Sequence, residues 1–91
     1  MATPDIHIHD RLIDECREGN RRAQFRLYEL YSKAMFNTAY RIMGNREDAE
    51  DMLQEAFTDC FRKIGSYRTE STFGAWLKTI VINRCISRLR K

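Results

Sequence analysis

Proline is nearly missing from this 91-residue chain, with Pro4 alone, and glycine is sparse at four residues. Long stretches of helical periodicity therefore run uninterrupted, with Gly19, Gly44 and Gly65 each closing one. No apolar run approaches the ~18 residues that a membrane span needs, and the opening MATPDIHIHD lacks the basic and apolar regions of a secretory leader. A cytoplasmic location and no membrane partner are expected. Cysteine occurs three times, at Cys16, Cys60 and Cys85, far apart and without a CxxC, which argues against a disulfide framework or a zinc site. The thiols are expected to be reduced, partly buried apolar groups. His7 and His9 form an HxH near the start with no further ligand in view, so they are read as part of an unstructured tail (1–7 and its junction), and no metal or other cofactor is expected. A Gly-rich phosphate loop, a histidine base in a structured segment and a metal-ligand cluster are all missing, which argues against an enzyme and against a small-molecule substrate.

Strict alternation of apolar and polar residues is absent too, and no internal repeat is present. What is present is helical spacing, in four segments. A short one, about Ile8 to Glu18, places Ile8, Leu12 and Cys16 on one face and is marginal unless it docks. The second, Arg21 to Met43 with Asn20 as N-cap, carries Tyr28, Tyr31, Met35, Ala39 and Ile42 along one side, widened by Phe25, Leu27, Leu30 and Phe36. So broad a surface predicts two packing neighbours. The third runs from Asn45 to Ile64 and opens with Asn-Arg-Glu-Asp, a capping box with Asp in place of Glu. The fourth follows the loop GSYRTE, with Ser71 as N-cap, and runs to the last residue. Its ending SRLRK has no stop signal, so the chain is expected to be a fragment of a longer protein. The fold class implied is all-α: one domain, a compact bundle of about four helices, one short and three longer. A chain of this size hides only a little over ~60% of its unfolded surface, so an interaction role is favoured over a deep active site.

Charge is distributed unevenly. The net charge is +3, yet residues 1–19 carry −3, 20–44 carry +4, 45–59 carry −5 and 60–91 carry +7. On a wheel, the third helix sets Ala49, Met52, Leu53, Ala56, Phe57, Cys60, Phe61 and Ile64 on a core arc. Glu47, Asp51, Gln54, Glu55, Thr58 and Arg62 fall opposite. That outer arc is either a solvated face or a docking face for a basic protein surface, because nucleic acid would be repelled. The fourth helix shows one apolar stripe of Phe73, Leu77 and Ile80 and a second of Ala75, Ile82, Ile86 and Leu89. Between them lie Trp76, Thr79, Asn83, Ser87 and Arg90, a mixture suited to base stacking, base-edge hydrogen bonds and phosphate contact. Trp76 reads equally well as a core residue, whereas Asn83 amid Ile80, Val81 and Ile82 carries a helix-propensity cost that favours a functional role.

The run NREDAEDMLQEAFTDCFRKIGSYRTESTFGAWLKTIVINRCISRLRK, preceded by FRLYELYSKAMFNTAYRIMGN, resembles the second conserved domain of bacterial sigma factors of the extracytoplasmic-function group. Two motifs carry the resemblance, DAED..QE.F in helix three and TF.AWL…I..N…R.R in helix four. The resemblance implies a transcription initiation factor domain whose partners are core RNA polymerase, through the β′ clamp helices, and the single non-template strand of a promoter −10 element, with an anti-sigma factor as a further partner. It implies polymerase binding by Glu47, Asp51, Gln54, Glu55 and Thr58. For DNA it implies Tyr67, Arg68, Thr69, Glu70, Ser71 and Thr72 of the loop that receives a flipped base. On helix four it adds Phe73, Trp76, Lys78, Thr79, Asn83, Arg84, Ser87, Arg88 and Arg90, with Asn83 at a base and Lys78, Arg84, Arg88 and Arg90 at phosphates. Ser87 stands where the family often has Asp, and only Tyr67 and Trp76 represent the aromatic set that primary sigma factors use for melting. The helix-turn-helix domain for the −35 element is absent from these 91 residues. A rival reading from the residues alone is a helical adaptor that uses the acidic face and never touches DNA.

Overall fold

A computed structural model describes residues 9–68 and 70–90. Four α-helices follow one another: α1 (Asp10–Arg17), α2 (Arg21–Met43), α3 (Arg46–Lys63) and α4 (Phe73–Leu89), with a single 3-10 turn (Ile64–Ser66) after α3. Among the described residues there is no strand, and no helix is long and apolar enough to cross a membrane.

The corners are set by local chemistry. At the end of α1, Gly19 takes φ 85°, its N–H donates to the Cys16 carbonyl (3.0 Å), and the Asn20 N–H donates back to Glu15 (3.1 Å). This is the Schellman arrangement, which needs a left-handed residue and so favours glycine. Asn20 then starts the next helix at once, its side chain accepting from the Ala23 N–H. Gly44 ends α2 at φ 84°, and Asn45 caps α3 by accepting from the Asp48 N–H at 2.9 Å. The expected box closes differently: the Asp48 carboxylate accepts from the Asn45 side-chain amide at 2.9 Å. Two expectations shift. Gly65 sits in the 3-10 turn without a positive φ, and the cap of α4 is Thr72, whose hydroxyl oxygen accepts from the Ala75 N–H at 3.1 Å. Ser71, one residue earlier, instead accepts from the Tyr67 hydroxyl at its carbonyl.

The long α2 packs against α1, α3 and α4, and α3 against α4. Leu27, Met52, Leu77 and Val81 are fully enclosed, and truncating such a side chain to Ala costs about 2–5 kcal/mol. All eight core-arc residues of α3 are buried or packed on the core. Elsewhere the stripes are narrower than the sequence suggests. Phe25 is 61% exposed and Leu30 lies at the surface. On α1 it is Ile13 and Cys16 that are buried, with Leu12 partly so; Ile8 lies outside the described residues. The first stripe of α4 is buried against its main neighbours, α2 and α3, and gains Val81 and Cys85, whereas Ile86 and Leu89 are exposed. His9 is structured: it precedes α1, and its ring meets Tyr31 edge-on at 5.7 Å. His7 lies outside the described residues.

Candidate functional site

The acids of α3 divide between its two flanks. Toward α2 lies a groove of about 450 Å³ whose lining includes Asp51, Gln54, Tyr28 and Phe36. A second groove of similar size, about 450 Å³, follows with Gln54, Thr58, Phe25 and Phe61. Glu47, Asp51, Gln54 and Thr58 are exposed, and among the described residues Glu47 and Asp51 form no ion pair. The Thr58 hydroxyl donates to the Gln54 carbonyl at 3.0 Å, so it is folded back along the helix.

Toward α4 the picture changes. Asp59, which the sequence did not single out, has a side chain only 8% exposed. Arg84 holds it with two parallel donors, Nε to Oδ2 and Nη2 to Oδ1, the latter at 2.9 Å. Two-point contact of this kind is the strong form of an Arg–carboxylate pair. The hydrogen bond from Arg84 pulls the Asp59 carboxyl below its ordinary value, against burial, which pushes the other way; the charges of Arg84, Lys63 and Arg62 add to the lowering. Arg84 also reaches Glu55 at 3.3 Å, and Arg88 reaches Glu55 at 3.3 Å and Asp48 at 3.9 Å. Glu55, expected beside Asp51 on the outer arc, thus points to α4, and Arg84 and Arg88, expected at phosphates, are engaged within the fold. Asp59 escaped the wheel because it borders the core arc and its partner lies 25 residues away.

The loop ahead of α4 is built from beneath. Tyr67 is 3% exposed, its hydroxyl donating to the Ser71 carbonyl at 2.7 Å, and Phe73 is buried beside it at 5.4 Å between ring centroids. Trp76 rests half-buried on both rings, at 5.2 and 5.5 Å. Tyr67 and Phe73 are therefore core groups whose side chains support the loop, and Trp76 is shared between core and surface. Arg68, Glu70, Ser71 and Thr72 are exposed, and Thr69 lies outside the described residues.

Along α4, Lys78, Thr79, Asn83, Ser87 and Arg90 are exposed. The Thr79 hydroxyl donates to the Ala75 carbonyl at 3.2 Å, while among the described residues the Asn83 amide has no hydrogen-bond partner. Asn83 and Ser87 line a polar cleft of about 320 Å³ with Asp59, Arg62, Lys63, Ile80 and Arg84. The grouping of Asn83 with the cations at the end of α3 is a tertiary fact that the sequence does not display. Among the described residues Lys63, Arg68, Lys78 and Arg90 form no ion pair.

The three thiols are free and buried. Burial, with a smaller push from Glu15, raises Cys16 to about 11. Burial, then Cys16, raises Cys60 to about 12. Neutral, enclosed thiols are poor nucleophiles and poor metal ligands.

The Sigma-70 region 2 family model matches residues 27–91. The ECF RNA polymerase sigma factor SigW of Bacillus subtilis is 33% identical over 79 residues, covering 87% of this chain and 42% of that protein. The ECF sigma factor SigM of Mycobacterium tuberculosis is 34% identical over 73 residues, 80% of this chain and 37% of that one. BldN of Streptomyces coelicolor, another ECF sigma factor, is 36% identical over 73 residues, 79% of this chain and 28% of that one. The chain thus spans less than half the length of these relatives. In fold it is similar to an engineered region 2 of sigmaE solved by NMR in complex with GTAAAA, with a TM-score of 0.81 and 24% identity over 98% of this chain and 90% of that one. With the helix order, the α3 and α4 motifs and the relatives in agreement, the chain belongs to the sigma-70 region 2 family, in its extracytoplasmic-function branch.

Proposed function

We propose that this domain serves bacterial transcription initiation, docking on the β′ clamp helices of core RNA polymerase through the exposed part of α3 and holding the non-template strand of a promoter −10 element with α4 and the loop before it. The observation that carries the reading is the separation of unsatisfied charge. Among the described residues Glu47 and Asp51 form no ion pair on α3, while Lys63, also without an ion pair there, lines the cleft of Asn83 and Ser87, and Arg68, Lys78 and Arg90 are exposed without one on the loop and along α4. An acidic face suits a basic protein surface, and a cationic strip with an amide at its centre suits a single strand. The relatives are named as RNA polymerase sigma factors, and the structural neighbour is in complex with GTAAAA, both in keeping with this reading.

The roles divide accordingly. Glu47, Asp51, Gln54 and Thr58 meet the polymerase, with Glu55 at the border of that face. Asn83 reads a base edge. Lys78 and Arg90, with Arg68, neutralise phosphates, and Arg84 and Arg88 contribute positive potential while bound to Asp59 and Glu55. Trp76 offers the exposed part of its ring for contact with a base, and Thr79 and Ser87 hydrogen-bond beside Asn83. Glu70, Ser71 and Thr72 frame the flipped base from the loop, over Tyr67 and Phe73, and Thr69, outside the described residues, is assigned to the same loop by its sequence position. Trapping an unstacked base offsets the few kcal/mol of unstacking, and all bond-making chemistry belongs to the polymerase, so no catalytic role is assigned. The site of action is the cytoplasm, where an anti-sigma factor would cover one or both faces.

The test is selection from randomised single-stranded DNA in the presence of core polymerase. Asn83→Ala is expected to lower discrimination at one position about tenfold with little change in the salt dependence. Polymerase binding without any DNA preference would move the chain to the helical-adaptor reading.

A further inference from the structure

The guanidinium of Arg17 at the end of α1 is bonded to the backbone at the first residue of the 3-10 turn and at the residue just after it, far from it in sequence. Its Nε donates to the Ile64 carbonyl at 3.1 Å and its Nη2 to the Tyr67 carbonyl at 2.6 Å. The third edge of the fork, Nη1, donates to Asp14 at 2.6 Å, which fixes the direction of the side chain. The same group lies 5.9 Å from the centre of the Tyr67 ring. Between α1 and Tyr67 remains a small cavity of about 170 Å³, lined by Asp10, Ile13, Asp14, Arg17 and Tyr67.

These bonds continue into the exposed loop. The Tyr67 carbonyl is fixed by Arg17, its ring is buried, and its hydroxyl reaches the Ser71 carbonyl, so 67 and 71 become the two feet of a short arch. Thr72 then caps α4 directly. Tyr67 is thus the link between the loop and the core, held by Arg17 at its carbonyl, by Ile64 at its N–H and by Phe73 and Trp76 at its ring.

We infer that Arg17 is a positioning residue for the loop 67–72, setting the geometry with which that loop receives a base although Arg17 itself touches no nucleic acid. The inference rests on the proposed single-strand reading. It assigns α1, which lies outside the matched family region 27–91, a part in base selection. A lysine cannot replace the arginine, because one ammonium lacks the planar fork that meets two carbonyls and a carboxylate together.

The experiment compares the unsubstituted chain with Arg17→Met, Arg17→Lys and Tyr67→Phe in selection from randomised single-stranded DNA hexamers, with salt dependence, thermal melting and core polymerase binding measured alongside. Arg17→Met is expected to reduce discrimination at the position held by the loop about tenfold, with the salt slope and polymerase binding retained. Arg17→Lys should recover only part of it. Adding Tyr67→Phe to Arg17→Met should cost little more discrimination, since both act through one arch. If Arg17→Met fails to fold, Asp14→Asn takes its place, and a reduced preference at the same position is expected. A folded Arg17→Met with full discrimination, or an equal loss at every position, overturns the inference while leaving the single-strand reading intact. Absence of preference in the unsubstituted chain overturns that reading and the inference together.

Discussion

On one flank of α3, Asp51 stands in water beside a groove shared with α2; on the other, Asp59 is enclosed and gripped by Arg84. Both are aspartates on one helix, eight residues apart. The first keeps its charge available to a partner because water already solvates it. The second has been removed from water and its charge is stabilised by the ion pair with Arg84, so it serves the α3–α4 packing. Acid count in a sequence therefore says little about docking until burial separates the two kinds.

The strongest way to break the contrast is Asp59→Ala. Removing the enclosed carboxylate with its two hydrogen bonds from Arg84 is expected to destabilise the fold by about 2–3 kcal/mol, measured by chemical denaturation; a loss below about 1 kcal/mol would place the pair with ordinary surface bridges. Next comes the reversal of both free acids, Glu47→Lys with Asp51→Lys. Binding to core polymerase should weaken by about 2 kcal/mol, with the denaturation midpoint almost unchanged, as followed by co-sedimentation and circular dichroism. Intact binding would return these acids to a solvated face without a partner.

A smaller effect lies in the acid limb. The Asp59 carboxyl titrates lower in the fold than in the unfolded chain, first because of the hydrogen bond from Arg84. Its contribution is thus fully present above the ordinary carboxylate range and is lost as pH falls through the lower, folded value. Asp59→Asn should flatten the fall of stability below about pH 4, and an unchanged acid limb would mean the pair does not hold in solution. The smallest expected effect is that of Arg88→Ala. Arg88 and Glu55 remain about 37% and 42% exposed, so solvent already screens their attraction, and a cost of about 0.5 kcal/mol is expected. A cost matching that of Arg84→Ala would mean that Asp59, Arg84, Glu55 and Arg88 act as one unit.

Much of the fold could be read from residue order. Asn20 and Asn45 are the caps that their spacing implies, and the core arc of α3 emerges from one wheel because that helix is amphipathic over its whole length. Helix α4 was harder. Its two apolar stripes are equivalent in sequence, and only the positions of α2 and α3 bury Phe73, Leu77 and Ile80 while leaving Ile86 and Leu89 bare. In the candidate site, Asn83 and the free cations were legible as surface chemistry. Tyr67 was not legible as a core residue, because its burial depends on Arg17, Phe73 and Trp76 arriving from other elements.

Sequence alone determined what is local: where the helices start and stop, which face of α3 is apolar, the unequal spread of charge, and the motifs that mark the family. These follow from spacing and capping within a few residues of one another. Tertiary structure decided which charges remain free. Arg84 meets Asp59 across 25 residues and Arg17 meets Tyr67 across 50. Whether a charge is spent inside the fold or offered to a partner depends on desolvation and on neighbours that no local pattern encodes.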